Sequence, residues 1–141
     1  NAIPRTGMLA GTVRTGDHDT WQLLEPMVRE IVHGLLAPTG VSYELDYRRG
    51  VPPVVNDEIS ARMFEDAIRA VAPDALSDTP QSGGGEDFSW YLEQVPGAMG
   101  RLGVGFGSGP ELDIHQPTFD LDERALAVGV RVMTNLALGA R

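Results

Sequence analysis

The residue best suited to chemistry is His115, in the segment Asp113-Ile-His-Gln-Pro-Thr-Phe-Asp120. Imidazole is the commonest metal ligand in proteins, and a loop between a strand and a helix is a frequent place for it. A lone histidine with no second ligand nearby is, however, more often a structural hydrogen-bonding residue. Spacing alone therefore leaves both roles open for His115, and it favours His18 and His33 as ligands even less.

A glycine-rich turn, Gly83-Gly84-Gly85, precedes Glu86 and Asp87, where a helix is predicted to start. Such a turn exposes backbone amides that can bind an anion. The two carboxylates argue against phosphate, because acidic residues in a first turn already interact with the free amides and with the helix dipole. The sequence therefore favours a capped helix start over an anion site.

Arg14 lies in a predicted strand among small and apolar neighbours. Its guanidinium could hold a substrate carboxylate through two parallel hydrogen bonds, and a structural or surface ion pair is the alternative. Trp90 and Tyr91 follow the glycine-rich turn closely enough to line a pocket, although packing in the core is the commoner role of such rings.

Three segments alternate apolar and polar or glycine residues and are predicted strands, at residues 8–15, 41–48 and 102–107. The third pairs its apolar residues with glycines, so that one face has no side chains. We expect something to pack very close to that face.

Apolar residues at helical spacing predict four helices around these strands. The first has an apolar face from Leu24 to Leu36, and Pro26 predicts a late start or a kink in it. The second is capped by Asn56, and the third starts near Glu86. The last begins around Asp120 and has a predicted buried stripe made of Leu121, Ala125, Val128, Val132 and Leu136.

The run Gly50-Val-Pro-Pro53 marks a boundary, because neither proline has the N–H donor that a strand ladder needs. We place the boundary near residue 52, between a strand–helix–strand unit and a helix–helix–strand–helix unit. This is an α/β pattern in two pieces, neither of which closes a sheet by itself. We therefore expect the chain to complete domains that begin upstream of it.

The composition excludes several classes of function. With 11 basic and 20 acidic residues the formal charge is -9, which repels nucleic acid and anionic membrane surfaces. The sequence has no cysteine, so it can form neither a disulfide framework nor a thiolate site. No apolar run reaches the length that spans a bilayer. We expect a soluble, cytoplasmic protein with neither nucleic-acid nor membrane partners.

Four blocks of the sequence carry a resemblance to a known family. They are Asn1-Ala-Ile-Pro4, Leu9-Ala-Gly-Thr-Val-Arg14-Thr15, Gly84-Gly-Glu-Asp-Phe-Ser-Trp-Tyr-Leu92 and His115-Gln-Pro-Thr-Phe-Asp-Leu-Asp122. Together they resemble the metal-dependent amidohydrolases and metallopeptidases that include hippurate hydrolase, N-acyl-amino-acid amidohydrolases and plant auxin-conjugate hydrolases. Each block alone is weak, but their order and spacing match along essentially the whole chain.

The resemblance implies a fold and a partner. Members of this family combine a catalytic domain with an inserted lid domain of ferredoxin-like topology, through which they usually dimerise. Residues 1–52 would be the second half of the lid, and residues 53–141 would be the C-terminal part of an α/β, two-metal aminopeptidase-like catalytic domain. A homodimer through the lid domain is therefore expected.

The resemblance also implies site residues. His115 resembles the last metal ligand of the family, and Arg14 and Asn1 resemble lid residues that meet the substrate carboxylate and carbonyl oxygen. Residues Gly85–Asp87 would lie in a loop beside the site. The other metal ligands and the general-base glutamate of the family lie upstream of the Asn-x-Ile-Pro block, so no catalytic residue is expected within these 141 residues.

The implied reaction is hydrolysis of the amide bond of an N-acyl amino acid by metal-activated water. The implied cofactor is a divalent metal, as two ions of zinc, manganese, cobalt or nickel. The chain by itself is expected to be inactive, because one histidine cannot hold a hydrolytic metal. The alternatives are a non-catalytic ferredoxin-like dimerisation or small-molecule-binding module and a regulatory protein that binds amino acids, which leaves the His115 block unexplained.

Overall fold

The computed structural model describes residues 2–109 and 112–139. Within these ranges the regular structure is helical: α1 (His18–Leu36), a short 3-10 turn (Ala37–Thr39), α2 (Glu58–Val71), α3 (Ser89–Leu92) and α4 (Arg124–Gly139). None of these helices combines the length and the apolar character that crossing a membrane requires. The candidate site is therefore positioned by helices and by the irregular segments between them.

Asp17 caps the start of α1. Its Oδ1 accepts the N–H of Thr20 at 2.7 Å, and hydrogen bonds from the Thr20 side chain and backbone lower the pKa of Asp17. The helix then continues through Pro26, so the predicted late start is wrong. Proline has no N–H for the carbonyl of Gln22, four residues earlier. Arg49 supplies a substitute donor, because its Nη2 lies 3.3 Å from the Gln22 carbonyl oxygen.

Residues 41–49 run back along α1 in the opposite direction. Three side-chain contacts, at successively earlier positions of the helix, hold the segment there: His33 with the Tyr43 hydroxyl (3.3 Å), Arg29 with the Leu45 carbonyl (3.4 Å) and Arg49 with the Gln22 carbonyl (3.3 Å). The segment is therefore attached to the helix by side chains.

The core forms where α2 packs against α4. Ala67 of α2 and Ala125 and Val132 of α4 are 7%, 9% and 6% exposed. All five residues predicted to line the inner face of α4 are buried or half-buried, so that prediction is confirmed. Gly129 allows close packing here, because a Cβ at this position would lie 3.0 Å from the Leu102 side chain.

The start of α2 is tied to a later segment by Asn56. Its Nδ2 donates to the Met99 carbonyl at 3.0 Å, and its Oδ1 accepts the Met99 N–H at 2.9 Å. The next residue, Asp57, donates its N–H to the Gly97 carbonyl at 2.9 Å. Asp57 also caps α2, since its Oδ1 accepts the Ser60 N–H at 2.8 Å. The predicted cap at Asn56 is therefore wrong, and this residue bridges two segments instead.

The three predicted strands are not found in the described residues, so the expected α/β architecture is wrong for this part of the chain. A strand is stable only when its backbone pairs with a neighbour. No backbone ladder joins residues 8–15, 41–48 and 102–107 within the described ranges. The glycine face of 102–107 is likewise open, because a Cβ at Gly103 or Gly105 would meet nothing within 4 Å.

Two helices start later than predicted. The third begins at Ser89 instead of near Glu86, and α4 begins at Arg124 instead of near Asp120. The carboxylate of Asp122 accepts the Arg124 N–H at 3.0 Å and also binds the Arg124 guanidinium. Hydrogen bonds from the Arg124 side chain and then its backbone lower the pKa of Asp122 to about 2.

Much of the apolar surface is not covered by other residues of this chain. The accessible surface is 11751 Å², whereas a compact protein of this mass has about 7,100 Å². Ile31 and Leu35, on the apolar face predicted for α1, are 56% and 69% exposed, so other residues of this chain leave part of that face uncovered. Val130 and Met133 on α4 are exposed to a similar degree. Both helices thus present apolar faces to which other polypeptide can bind.

Candidate functional site

Arg14 and the glycine-rich turn, two features of the predicted site, are in contact. The Nη1 of Arg14 donates a hydrogen bond to the Gly83 carbonyl at 2.6 Å. Arg14 is exposed, and it forms no ion pair within the described residues. A guanidinium has five N–H donors, so one bond to a carbonyl leaves donors available for an anion.

Glycines let the turn approach its neighbours closely. A Cβ at Gly85 would lie 2.9 Å from Val51 Cγ2, closer than real Cβ contacts come. A Cβ at Gly16 would lie 2.0 Å from the side-chain nitrogen of Gln81. The turn and the residues before it therefore lie against the segments that precede α1 and α2.

Glu86 and Asp87 lie between the turn and α3. The Glu86 carbonyl accepts the Ser89 N–H at 3.1 Å and the Ser89 hydroxyl at 2.6 Å, and the Asp87 carbonyl accepts the Trp90 N–H at 3.1 Å. Both acidic side chains are exposed, and no side chain caps α3. The predicted capping by these carboxylates is therefore wrong, and their charges stand beside the turn that Arg14 contacts.

His115 lies in the loop before α4. The Asp113 carboxylate accepts the His115 N–H at 3.1 Å, and the Asp113 carbonyl accepts the Gln116 N–H at 3.1 Å. The His115 side chain is exposed. In the ranges that the structure covers, no hydrogen bond or ion pair joins it to Arg14 or to the glycine-rich turn. The structure thus brings Arg14 and the turn together, but not His115.

The residues that the structure describes do not form a metal site by themselves. No group of three or more histidine, aspartate or glutamate side chains among the described residues is placed to hold a metal ion. A hydrolytic metal usually takes three protein ligands, so His115 alone does not fit a two-metal centre. Asn1, the other predicted substrate contact, lies outside the described residues.

A cluster of five side chains that the sequence did not reveal links α1 to α3. We call it the α1–α3 cluster, and it is formed by His18, Trp21, Arg49, Trp90 and Glu93. His18 Nε2 lies 2.9 Å from Glu93 Oε1, and the rings of Trp21 and Trp90 meet edge to face with centroids 6.0 Å apart. The Arg49 guanidinium lies 5.1 Å from the centre of the Trp21 ring. The sequence did contain one indication of this cluster. His18 and Trp21, and likewise Trp90 and Glu93, are three positions apart, and this spacing places both residues of a pair on the same side of a helix.

A family model, described as peptidase family M20/M25/M40, matches residues 3–139. The chain belongs to this family. The match includes Arg14, the glycine-rich turn and the His115 loop. Members of the M20/M25/M40 family are hydrolases that are generally metal-dependent, so the resemblance predicted from the four blocks is confirmed at the level of the family.

The chain is similar in sequence to parts of longer proteins. It is 52% identical over 137 residues to a putative glutamate–cysteine ligase 2-3 of Rhodococcus jostii (96% of the chain, 17% of the relative). It is 41% identical over 140 residues to the probable hydrolase sll0100 of Synechocystis (97% and 36%). It is 32% identical over 138 residues to an N-acetylcysteine deacetylase of Bacillus subtilis (98% and 35%). The chain spans about a third or less of these relatives, and no solved structure matches it significantly.

Proposed function

We propose that the chain is the C-terminal part of a metal-dependent amidohydrolase that cleaves the amide bond of N-acyl amino acids. Family membership and the deacetylase relative support amide hydrolysis, and N-acetylcysteine is itself an N-acyl amino acid. The ligase name of the Rhodococcus relative is not carried over, because the match covers only 17% of that protein. Residues 1–52 are assigned to the lid domain and residues 53–141 to the catalytic domain within this proposal.

The contact between Arg14 and Gly83 carries the proposal. An N-acyl amino acid has a carboxylate next to its amide bond, and a chain with a net charge of -9 repels that group unless a cation is held near it. Arg14 is such a cation, and its bond to Gly83 fixes it beside the turn. A charge-assisted, bidentate pair with the substrate carboxylate would use the remaining donors. We assign the carboxylate contact to Arg14 and the contact with the substrate carbonyl oxygen to Asn1.

Replacing Arg14 by lysine in the full-length enzyme tests this role. Lysine keeps the charge but loses the planar fork, so kcat/KM for N-acetylcysteine should fall about ten- to a hundredfold. The matching substrate with a carboxamide in place of the carboxylate should be hydrolysed at an unchanged rate. Arg101→Lys is the matched control, because Arg101 is also exposed and also donates to a backbone carbonyl, that of Pro80 at 3.3 Å. Equal losses on both substrates, with a lower melting temperature, would show a structural role instead.

We also propose that His115 is one ligand of a divalent metal ion in the full-length protein. Its exposed side chain in a loop supports this role, and imidazole suits zinc and nickel better than it suits harder ions. His115→Ala should lower both bound metal, measured by elemental analysis, and turnover. His33→Ala is the control, since His33 lies on α1 and contacts the Tyr43 hydroxyl at 3.3 Å. Normal metal content in His115→Ala would return His115 to a structural role.

The proposal also covers assembly and the activity of the isolated chain. The exposed apolar residues Ile31 and Leu35 support a homodimer that forms through residues 1–52, and analytical ultracentrifugation of the full-length enzyme tests it. The purified 141-residue chain should not hydrolyse N-acetylcysteine or hippurate, because it offers one metal ligand. Chelator-sensitive hydrolysis by this chain would contradict the assignment.

A further inference from the structure

The α1–α3 cluster lies between the two segments that carry the candidate site. Arg14 precedes the first turn of α1, and the glycine-rich turn lies three residues before α3. His18 and Trp21 project from the first turn of α1, and they contact Glu93 and Trp90 around α3. The chain at α1 therefore connects His18 and Trp21 to Arg14. The chain at α3 connects Trp90 and Glu93 to the glycine-rich turn.

A short-range hydrogen bond restrains the chain next to each helix. Before α1, the Asp17 N–H donates to the Thr15 hydroxyl at 3.1 Å, in addition to the Asp17 cap described above. At α3, the hydroxyl of Ser89, a fully buried residue, donates to the Glu86 carbonyl at 2.6 Å. A shift of one helix relative to the other would therefore be passed on to the segments that carry Arg14 and Gly83.

Arg49 also contacts Trp21 in the cluster. Its guanidinium lies over the Trp21 ring, donates to the Gln22 carbonyl at 3.3 Å and lies 3.9 Å from Glu25 Oε2. Three separate contacts thus fix the guanidinium that supports the ring. The position of Trp21 is set by this arrangement, and Trp90 packs against it.

We propose that the α1–α3 cluster positions Arg14 against the glycine-rich turn, and that Trp21 and Trp90 are positioning residues for recognition of the substrate carboxylate. This inference rests on the proposed function. The two rings act through Arg14, so their loss lowers the fraction of molecules in which Arg14 is correctly placed. Apparent affinity for the substrate falls by the same factor. An edge-to-face aromatic pair corresponds to about a two- to tenfold change in such a population.

The kinetic test uses Trp21→Leu and Trp90→Leu in the full-length enzyme. The KM for N-acetylcysteine should rise about two- to tenfold in each variant, while kcat and the KM for the carboxamide substrate stay unchanged. The double variant should be no worse than the more affected single variant, because both break one contact. Tyr91→Leu is the matched control: Tyr91 is also in α3 and is 67% exposed, but it packs on Phe88 with centroids 6.1 Å apart.

A cross-linking test reads the contact without using activity. The 141 residues contain no cysteine, so His18→Cys combined with Glu93→Cys introduces one defined pair into a full-length enzyme whose other cysteines have been replaced. A short bismaleimide should join the two cysteines within one chain, as shown by peptide mass mapping. The pair His33→Cys with Glu93→Cys should not react in this way. Absence of the first cross-link would overturn the positioning role.

The outcomes separate this inference from the proposed function. A wild-type enzyme that does not hydrolyse N-acyl amino acids would refute the proposed function, and the positioning role would fall with it. An active wild type whose Trp21 and Trp90 variants lose equally on carboxylate and carboxamide substrates would refute the positioning role alone. A selective rise in KM together with the cross-link supports both.

Discussion

Asn56 gives the sharpest prediction about stability, because one amide makes both of its bonds to the same residue. The variant Asn56→Ala removes the 3.0 Å bond to the Met99 carbonyl and the 2.9 Å bond from the Met99 N–H. A neutral hydrogen bond contributes about 0.5–1.5 kcal/mol net. Both bonds are exposed, and water can replace them, so we take the lower half of this range for each. The free energy of local opening should fall by about 1–2 kcal/mol.

Amide hydrogen exchange measures this opening directly. In Asn56→Ala the N–H groups of Met99 and Asp57 should exchange about 5- to 30-fold faster, because the Asp57 bond to Gly97 belongs to the same bridge. Asn135→Ala is the matched control, since Asn135 makes a single side-chain bond, to the Arg131 carbonyl of its own helix at 3.0 Å. Exchange at Met99 that stays within twofold of the wild type would refute the bridge.

Two further predictions concern the same core and its helix caps. Val132→Ala should lower the free energy of unfolding by about 2 kcal/mol, because it removes two buried methyl groups and leaves a cavity. Val130, on the same helix, is 67% exposed and serves as the control. In urea unfolding, Val130→Ala should change the free energy of unfolding by no more than about 0.5 kcal/mol. Hydrogen bonds from the backbone and then the side chain of Ser60 lower the pKa of Asp57. The stabilisation from this cap is complete above the ordinary aspartate pKa of 3.8 and is lost as the pH falls through the lowered value. The melting temperature should therefore decline more steeply below pH 4 in the wild type than in Asp57→Asn, and parallel pH curves would contradict this.

The inner face of α4 could be predicted from the sequence because one periodic stripe supplies its buried residues. Ala125 and Val132 recur at helical spacing, and α2 covers them. The same periodicity predicted the apolar face of α1, yet Ile31 and Leu35 on that face are exposed. Periodicity identifies an apolar face, but it does not say how much of that face another segment covers.

The strands could not be predicted correctly because pairing is a property of two segments. The alternation in residues 41–48 fits a half-buried strand, yet side chains attach this segment to α1. Alternation gives no information about which segment is the partner. An alternating pattern without an identified pairing segment therefore predicts only an extended segment. Backbone hydrogen bonds to a neighbouring segment are needed to make it a strand.

The candidate site could be predicted in its members but not in its contacts. Family resemblance singled out Arg14 and the glycine-rich turn, although 69 positions separate Arg14 from Gly83. The partners of Trp21 and His18 depend on how two helices meet, and nothing within either helix specifies that. The sequence blocks thus identified the residues of the candidate site, and the structure showed which of these residues are in contact.

The bond from Arg49 to the Gln22 carbonyl makes the mutational histories of two distant positions depend on each other. While Pro26 is present, loss of Arg49 leaves that carbonyl to water, because the helix has no N–H to offer it. Once position 26 has changed to a residue with an N–H, the helix satisfies the carbonyl itself and Arg49 is needed only for Trp21 and Glu25. Loss of Arg49 should therefore cost more in a protein that keeps Pro26 than in one that has lost it. Because Pro26 has no backbone N–H, the order of the two substitutions affects their cost, and not only whether both occur.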